Sequence, residues 1–116
     1  MAHGYALAHL HNPNAHPDVL DYIERIQATL DPFSGRFIVH GPTVETKEGE
    51  WPGTVVIIEF PSVDDARAWY DSPAYQEILP QRTDHIDGEA IIFEGVEPGY
   101  DAAATAAVIR RATSTE

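Results

Sequence analysis

Thr54-Val55-Val56-Ile57-Ile58-Glu59-Phe60 is almost wholly apolar and β-branched, and Pro61-Ser62 ends it abruptly. A run of this kind reads as a mid-sheet strand needing cover on both faces. Val55 and Ile57 point one way and Val56 and Ile58 the other, so helices on one side alone leave half the strand bare. Ser62 is a good helix N-cap, and Asp65 stands where it can reach back as a shortened capping box. The helix that opens there carries Val63, Ala66, Trp69 and Tyr70. Ser72-Pro73 repeats the cap-then-proline logic for a second helical turn that ends near Pro80.

Upstream of this strand, Gly35 turns the chain into a shorter strand, Arg36 to His40, and a polar, acidic loop from Glu45 to Gly53 follows it. Before that, Pro17 sits at a first helical position. Val19, Leu20, Ile23, Ile26, Gln27 and Leu30 follow at helical spacing, and Asp31-Pro32 stops the helix. Tyr5 to Leu10 reads as the first strand, with Tyr5, Leu7 and His9 on one face and Ala6, Ala8 and Leu10 on the other. Asp84 to Glu89 is polar, and Ala90 to Glu94 reads as the last strand.

The order is therefore strand, helix, strand, strand, helix, strand. Right-handed crossovers turn that order into a four-stranded antiparallel sheet, spatially 4-1-3-2, with both helices on one face. This is an α+β, ferredoxin-like βαββαβ domain, expected over residues 1–97, and a second copy of the chain is expected to cover its bare face. Residues 98–116 form a separate alanine-rich tail or helix, with its helical stretch at Ala102 to Ala112.

The chain has 116 residues, which suits one compact core. Nineteen acidic residues against seven basic ones give a net charge of −12, and Lys47 is the only lysine. No basic stripe is available for a phosphate backbone or an anionic membrane, so neither nucleic acid nor membrane is an expected partner. The absence of cysteine excludes disulfides, thiolate nucleophiles and cysteine metal sites. The first residues lack the pattern of a signal peptide, and no stretch approaches the roughly 18 apolar residues of a membrane span. A cytoplasmic location is the expectation.

Four segments in order carry a resemblance: Gly35-Arg36-Phe37-Ile38-Val39-His40-Gly41, Val56-Ile57-Ile58-Glu59-Phe60-Pro61-Ser62, Ala68-Trp69-Tyr70-Asp71-Ser72-Pro73-Ala74-Tyr75-Gln76 and Phe93-Glu94-Gly95-Val96. Together they resemble domain-of-unknown-function family 1330, of the dimeric α+β barrel superfamily, from about Gly4 to Glu97. The resemblance implies a homodimer closing a barrel. It implies no single reaction, since superfamily relatives include cofactor-independent monooxygenases, haem-degrading enzymes, polyketide cyclases and isomerases that tend to bind ligands between helices and sheet. The family often ends its second strand with an arginine. Here that position is His40, so the arginine's role does not carry over.

Strands one and two run parallel on either side of strand three, which brings His9, His11 and His40 towards one end, with Trp51 nearby. Imidazole titrates near neutrality and serves as general acid or base without a cofactor, which makes His9 and His40 the candidate catalytic residues. His9-x-His11 has a spacing that can chelate zinc or iron, but the sequence supplies no third ligand, and no metal is assigned. The bland alternative makes His11 and His16 loop residues and His40 a strand cap.

The opposite end gathers Tyr5, Arg36, Glu59 and Glu94. Arg36 and Glu59 are placed to meet across the hairpin, as a structural ion pair or as an anchor for a substrate anion. Trp69, Tyr70 and Tyr75 are core aromatics by default, with Trp69 and Tyr70 candidates for a pocket wall. Arg82, expected on a loop after Pro80, is either a solvated charge or a cap over an anionic substrate.

The leading expectation is a small-molecule enzyme doing cofactor-independent acid/base chemistry, as a cyclase, isomerase or monooxygenase, on an aromatic or enolisable substrate. Its rivals are a non-catalytic ligand-binding or structural dimer, and a haem- or metal-binding protein.

Overall fold

The computed structural model describes residues 2–113. The elements in order are β1 (Gly4–His11), α1 (Pro17–Leu30), a 3₁₀ turn (Asp31–Phe33), β2 (Arg36–His40), β3 (Gly53–Phe60), α2 (Val63–Asp71), α3 (Pro73–Thr83), β4 (Gly88–Glu94) and α4 (Ala102–Thr113). The sheet order is β2-β3-β1-β4, and every pairing is antiparallel. This is the arrangement that the element order dictates. Among the described residues, no helix is long and apolar enough to cross a membrane.

Local chemistry explains the helix ends. His16 caps α1 by accepting the Asp18 N–H on Nδ1 at 3.0 Å, and Pro17 follows at the first helical position. At the start of α2 the Asp65 N–H donates to Ser62 Oγ at 3.2 Å, while that hydroxyl donates to Asp65 Oδ2 at 3.0 Å. The capping pair therefore forms through the hydroxyl. Ser72 joins two helices: its hydroxyl donates to the Trp69 carbonyl at 2.7 Å and accepts the Tyr75 N–H at 3.4 Å.

The helices cover one sheet face. Leu30, Phe60 and Ile78 are the largest fully buried side chains, and Tyr22, Ile26, Ile58, Ala66, Trp69 and Tyr75 complete the core around them. Each large apolar side chain buried there contributes about 1.5–3 kcal/mol. Gly4 is required where β1 passes under the start of α2, because a Cβ there would stand 2.3 Å from the Ser62 carbonyl oxygen.

Several boundaries and faces differ from the sequence reading. The buried stripe of α1 is Val19, Tyr22, Ile26, Thr29 and Leu30, whereas Leu20 and Ile23 are exposed by nearly half. Tyr22 and Thr29 face inward because their hydroxyls find partners there, at Tyr75 Oη and the Ile26 carbonyl. Helix α3 runs through Pro80 to Thr83, with the Asp84 N–H bonded to the Pro80 carbonyl, so Arg82 is helical and not on a loop. Strand β1 includes His11, which pairs with Gly53 of β3, and β4 begins at Gly88 opposite Leu10, with Glu89 opposite His9.

One irregularity repositions a candidate residue. Phe37 pairs with Ile58, yet Val39 pairs with Ile57 and His40 with Val56, so β2 carries a bulge between Phe37 and Val39. A one-residue slip exchanges the faces of everything beyond it. His40 consequently shares the helix-covered face with Val56 and stacks on Phe37 at 4.4 Å.

Candidate functional site

Between the helices and the sheet lies a cavity of about 520 Å³. Its floor is Ala6, Ala8, Val56 and Ile58, and its small alanine side chains are what leave the space open. Tyr22, Ile23 and Ile26 of α1 and Trp69, Tyr70 and Tyr75 of α2 and α3 form the walls. A volume in the range of about 300–1,000 Å³, apolar lining and a few convergent polar groups are the ordinary attributes of a ligand site.

The polar groups are few and held in place. The Tyr22 and Tyr75 hydroxyls lie 2.7 Å apart, and the Arg82 guanidinium stands 5.5 Å from the centre of the Tyr22 ring. Burial pushes the Tyr75 phenol far above its ordinary range, and the neighbouring Tyr22 adds to the shift, so it stays protonated and available as a donor. Burial works against the Arg82 charge, but the two phenolic oxygens overrule it and hold the guanidinium protonated. Trp69 is buried, and its indole N–H donates to Thr29 Oγ1 at 3.0 Å. Its role in the wall is fixed by that bond. Tyr70 is half-buried, and His40 lines the cavity from β2.

The other candidates stand elsewhere. His9 and His11 share the sheet's open face, where Trp51 stacks on His9 at 3.9 Å and both rings approach Glu89. Arg36 is also on that face, at the far end. Its Nε and Nη2 donate to Glu59 Oε1 at 3.0 and 2.7 Å, and the Tyr5 hydroxyl donates to Glu59 Oε2 at 3.2 Å. The Arg36 hydrogen bonds hold the Glu59 carboxyl below its usual range, with burial opposing and Tyr5 assisting. The histidine end thus holds two groups on two faces: His40 in the cavity, His9 and His11 outside it.

Two residues escaped the sequence reading. Tyr22 lies one turn from Val19 on the α1 stripe, and its spacing was the available signal. Glu89 precedes Ala-Ile-Ile, where one more residue of alternation would have drawn it into β4 opposite His9.

Comparison with protein families identifies the chain. Residues 3–96 match the family described as "Domain of unknown function (DUF1330)". The chain belongs to this family. Helix α4 lies outside the DUF1330 match. No curated protein sequence matches the chain.

Several solved structures are similar to this DUF1330 chain. The RPA0582 protein of unknown function from Rhodopseudomonas palustris is 19% identical over 84% of this chain and 85% of its own, with a TM-score of 0.57. SnoaB, a cofactor-independent oxygenase from Streptomyces nogalater, is 15% identical over 86% of this chain and 97% of its own, at 0.51. A DABB family protein with a ferredoxin-like fold from Mesorhizobium loti is 10% identical over 85% and 100%, at 0.52. At these identities the likeness is one of fold, and the fold is ferredoxin-like.

Proposed function

We propose that this DUF1330 chain is a small-molecule enzyme that transfers protons on an aromatic or enolisable ketone substrate held between helices and sheet, without a bound organic cofactor. The observation that carries this reading is the mostly apolar cavity of about 520 Å³ on which His40 and the Tyr22, Tyr75 and Arg82 group converge. Trp69 and Tyr70 stack against the ring system. His40 takes a proton from the carbon next to the carbonyl, and the C–H electron pair moves into an enolate. Arg82 and the tyrosine hydroxyls face the charge that develops on oxygen. Return of the proton to a different carbon completes an isomerisation, and attack of the enolate carbon on a second carbonyl completes a cyclisation. The fold likeness to a cofactor-independent oxygenase is compatible with the same first step, dioxygen then acting as the oxidant.

His9 has no part in this cavity, and Arg36 is committed to Glu59, so neither is assigned a role in the proton transfer.

The test uses naphthol-type phenols and cyclic diketones, with thermal shift reporting binding and NMR reporting hydrogen–deuterium exchange at the ligand's acidic carbon. Stabilisation of the wild type with exchange that His40→Ala abolishes is the expected result. Binding without exchange would leave a ligand-binding protein and remove the enzyme. No binding by any probe, or binding indifferent to Arg82→Met and Tyr70→Ala, would remove the site itself.

The open sheet face favours a homodimer as the working unit. Ile38, Ile91 and Phe93 are exposed there beside the half-buried Leu7, Val55 and Ile57, an apolar surface that a second copy of the same sheet would cover. The sequence resemblance to barrel-forming dimers points the same way.

A further inference from the structure

We propose that His9, His11 and Glu89 bind one divalent transition-metal ion of the zinc class on the sheet face opposite the cavity. The register places them. His9 and His11 alternate along β1 and so share one face, and Glu89 of β4 is the direct partner of His9. Glu89 Oε1 lies 3.1 Å from His9 Nδ1 and 3.0 Å from His11 Nε2, and the three donor atoms all lie within 4.8 Å of one another. Ligand atoms at tetrahedral angles around zinc stand about 3.4 Å apart, from bond lengths of about 2.0–2.2 Å. The two carboxylate–imidazole separations need open by only a few tenths of an ångström to reach that spacing, and the two imidazole nitrogens already lie within 4.8 Å of each other.

The surroundings hold the donors in place. Trp51 stacks on the His9 ring at 3.9 Å with 20° between the planes. Gly53 leaves room for that ring, since a Cβ there would approach His9 Cδ2 to 2.9 Å. The His11 N–H is tied to the Asp87 carbonyl at 2.8 Å, which anchors the end of β1 against the start of β4. Two imidazole nitrogens and one carboxylate oxygen select zinc-like ions over magnesium or calcium, which prefer all-oxygen shells. The net charge of −12 favours cation approach. Three protein ligands leave further coordination positions for water, an anion or a group of the second copy that covers this face.

A second cluster, His16, Asp18 and His85, has the same residue types but a different use. His16 Nδ1 already accepts the Asp18 N–H as the cap of α1, and its ring lies flat against His85 at 3.5 Å. Binding there would cost the cap, so this cluster serves as the internal control.

The experiment is calorimetric titration of the full-length chain with zinc chloride, repeated with magnesium chloride and followed by cobalt(II) absorption in the visible. One zinc per chain, no response to magnesium and an intense cobalt spectrum of low-coordinate type are expected. His11→Ala and Glu89→Gln, both at exposed or half-exposed positions that leave the core intact, should each weaken zinc by about tenfold or more. His85→Ala should leave the affinity unchanged. Equal affinity in wild type, His11→Ala and Glu89→Gln would overturn the proposal, as would loss of binding in His85→Ala alone. Neither result bears on the cavity, which lies on the other face.

Discussion

His9 and His40 stand at the same end of the sheet but on opposite faces, because the bulge between Phe37 and Val39 moves His40 onto the face of Val56 while His9 shares that of Val55. A regular β2 would have put both imidazoles on the open face and left the cavity without a histidine. The bulge thus separates a candidate proton-transfer group from a candidate metal-binding one.

That separation gives different expectations for the two residues. In the proposed enzyme, His40→Ala lowers the rate of exchange at the ligand's acidic carbon by about 10²–10⁴ while binding changes little. His9→Ala changes the rate by no more than its effect on stability. Exchange rates measured by NMR at saturating ligand separate the two, and equal losses in both variants would contradict the assignment.

The sheet was legible in the sequence because its information is local: the β-branched run 54–60, the proline and serine punctuation, and the alternation in Tyr5 to Leu10 together dictate order and direction. The bulge was not legible, because Phe37-Ile38-Val39 is a continuous apolar run that marks neither face, and only the pairing with β3 exposes the extra residue. Glu89 was missed for a related reason. Gly88-Glu89 has little strand propensity of its own and is extended because β1 templates it. Tyr22, Thr29 and Arg82 carry polar groups that pattern reading assigns to water, and each faces inward because its polar atom has a partner there.

The tyrosine pair predicts an alkaline limit. The Tyr75 phenol is raised by burial and by Tyr22, so the folded chain keeps a proton that the unfolded chain releases near the ordinary tyrosine value of about 10. Stability from this group is complete below that value and declines as pH rises above it. Tyr75→Phe should cost about 1 kcal/mol at neutral pH, through the lost hydroxyl contact, and should flatten the decline between about pH 10 and 11. Urea unfolding of both proteins across that window measures it. Parallel decline in wild type and variant would contradict the assignment.

Glu59 predicts the opposite limb. Its carboxyl is lowered chiefly by the Arg36 hydrogen bonds, so its contribution is present above the unfolded glutamate value of about 4.3 and is lost as pH falls through the lower folded value. Arg36 is 71% exposed, and solvent screening keeps the worth of the pair to about 0.5–1 kcal/mol. Glu59→Gln should be less stable than wild type by that amount at pH 7. The two should converge near pH 3, as followed by denaturant midpoints. A difference that persists in acid would show that shape, and not charge, is what the residue supplies.

The open face predicts the assembly. Leu7 pairs with Ile57 and Ile91, and Phe93 stacks on Tyr5 at 5.7 Å, so one row of apolar side chains crosses the three strands β3, β1 and β4. Ile91 is 54% exposed. In the proposed dimer it is covered by the partner's sheet, where an unpaired carboxylate costs several kcal/mol. Ile91→Glu should therefore convert a dimer into a folded monomer, seen as a halved mass in sedimentation equilibrium with an unchanged far-ultraviolet spectrum. A monomeric wild type, or a variant that keeps the dimer mass, would place the subunit contact elsewhere. The cavity lies under the helices on the other side, so the monomer should still bind the cavity ligand.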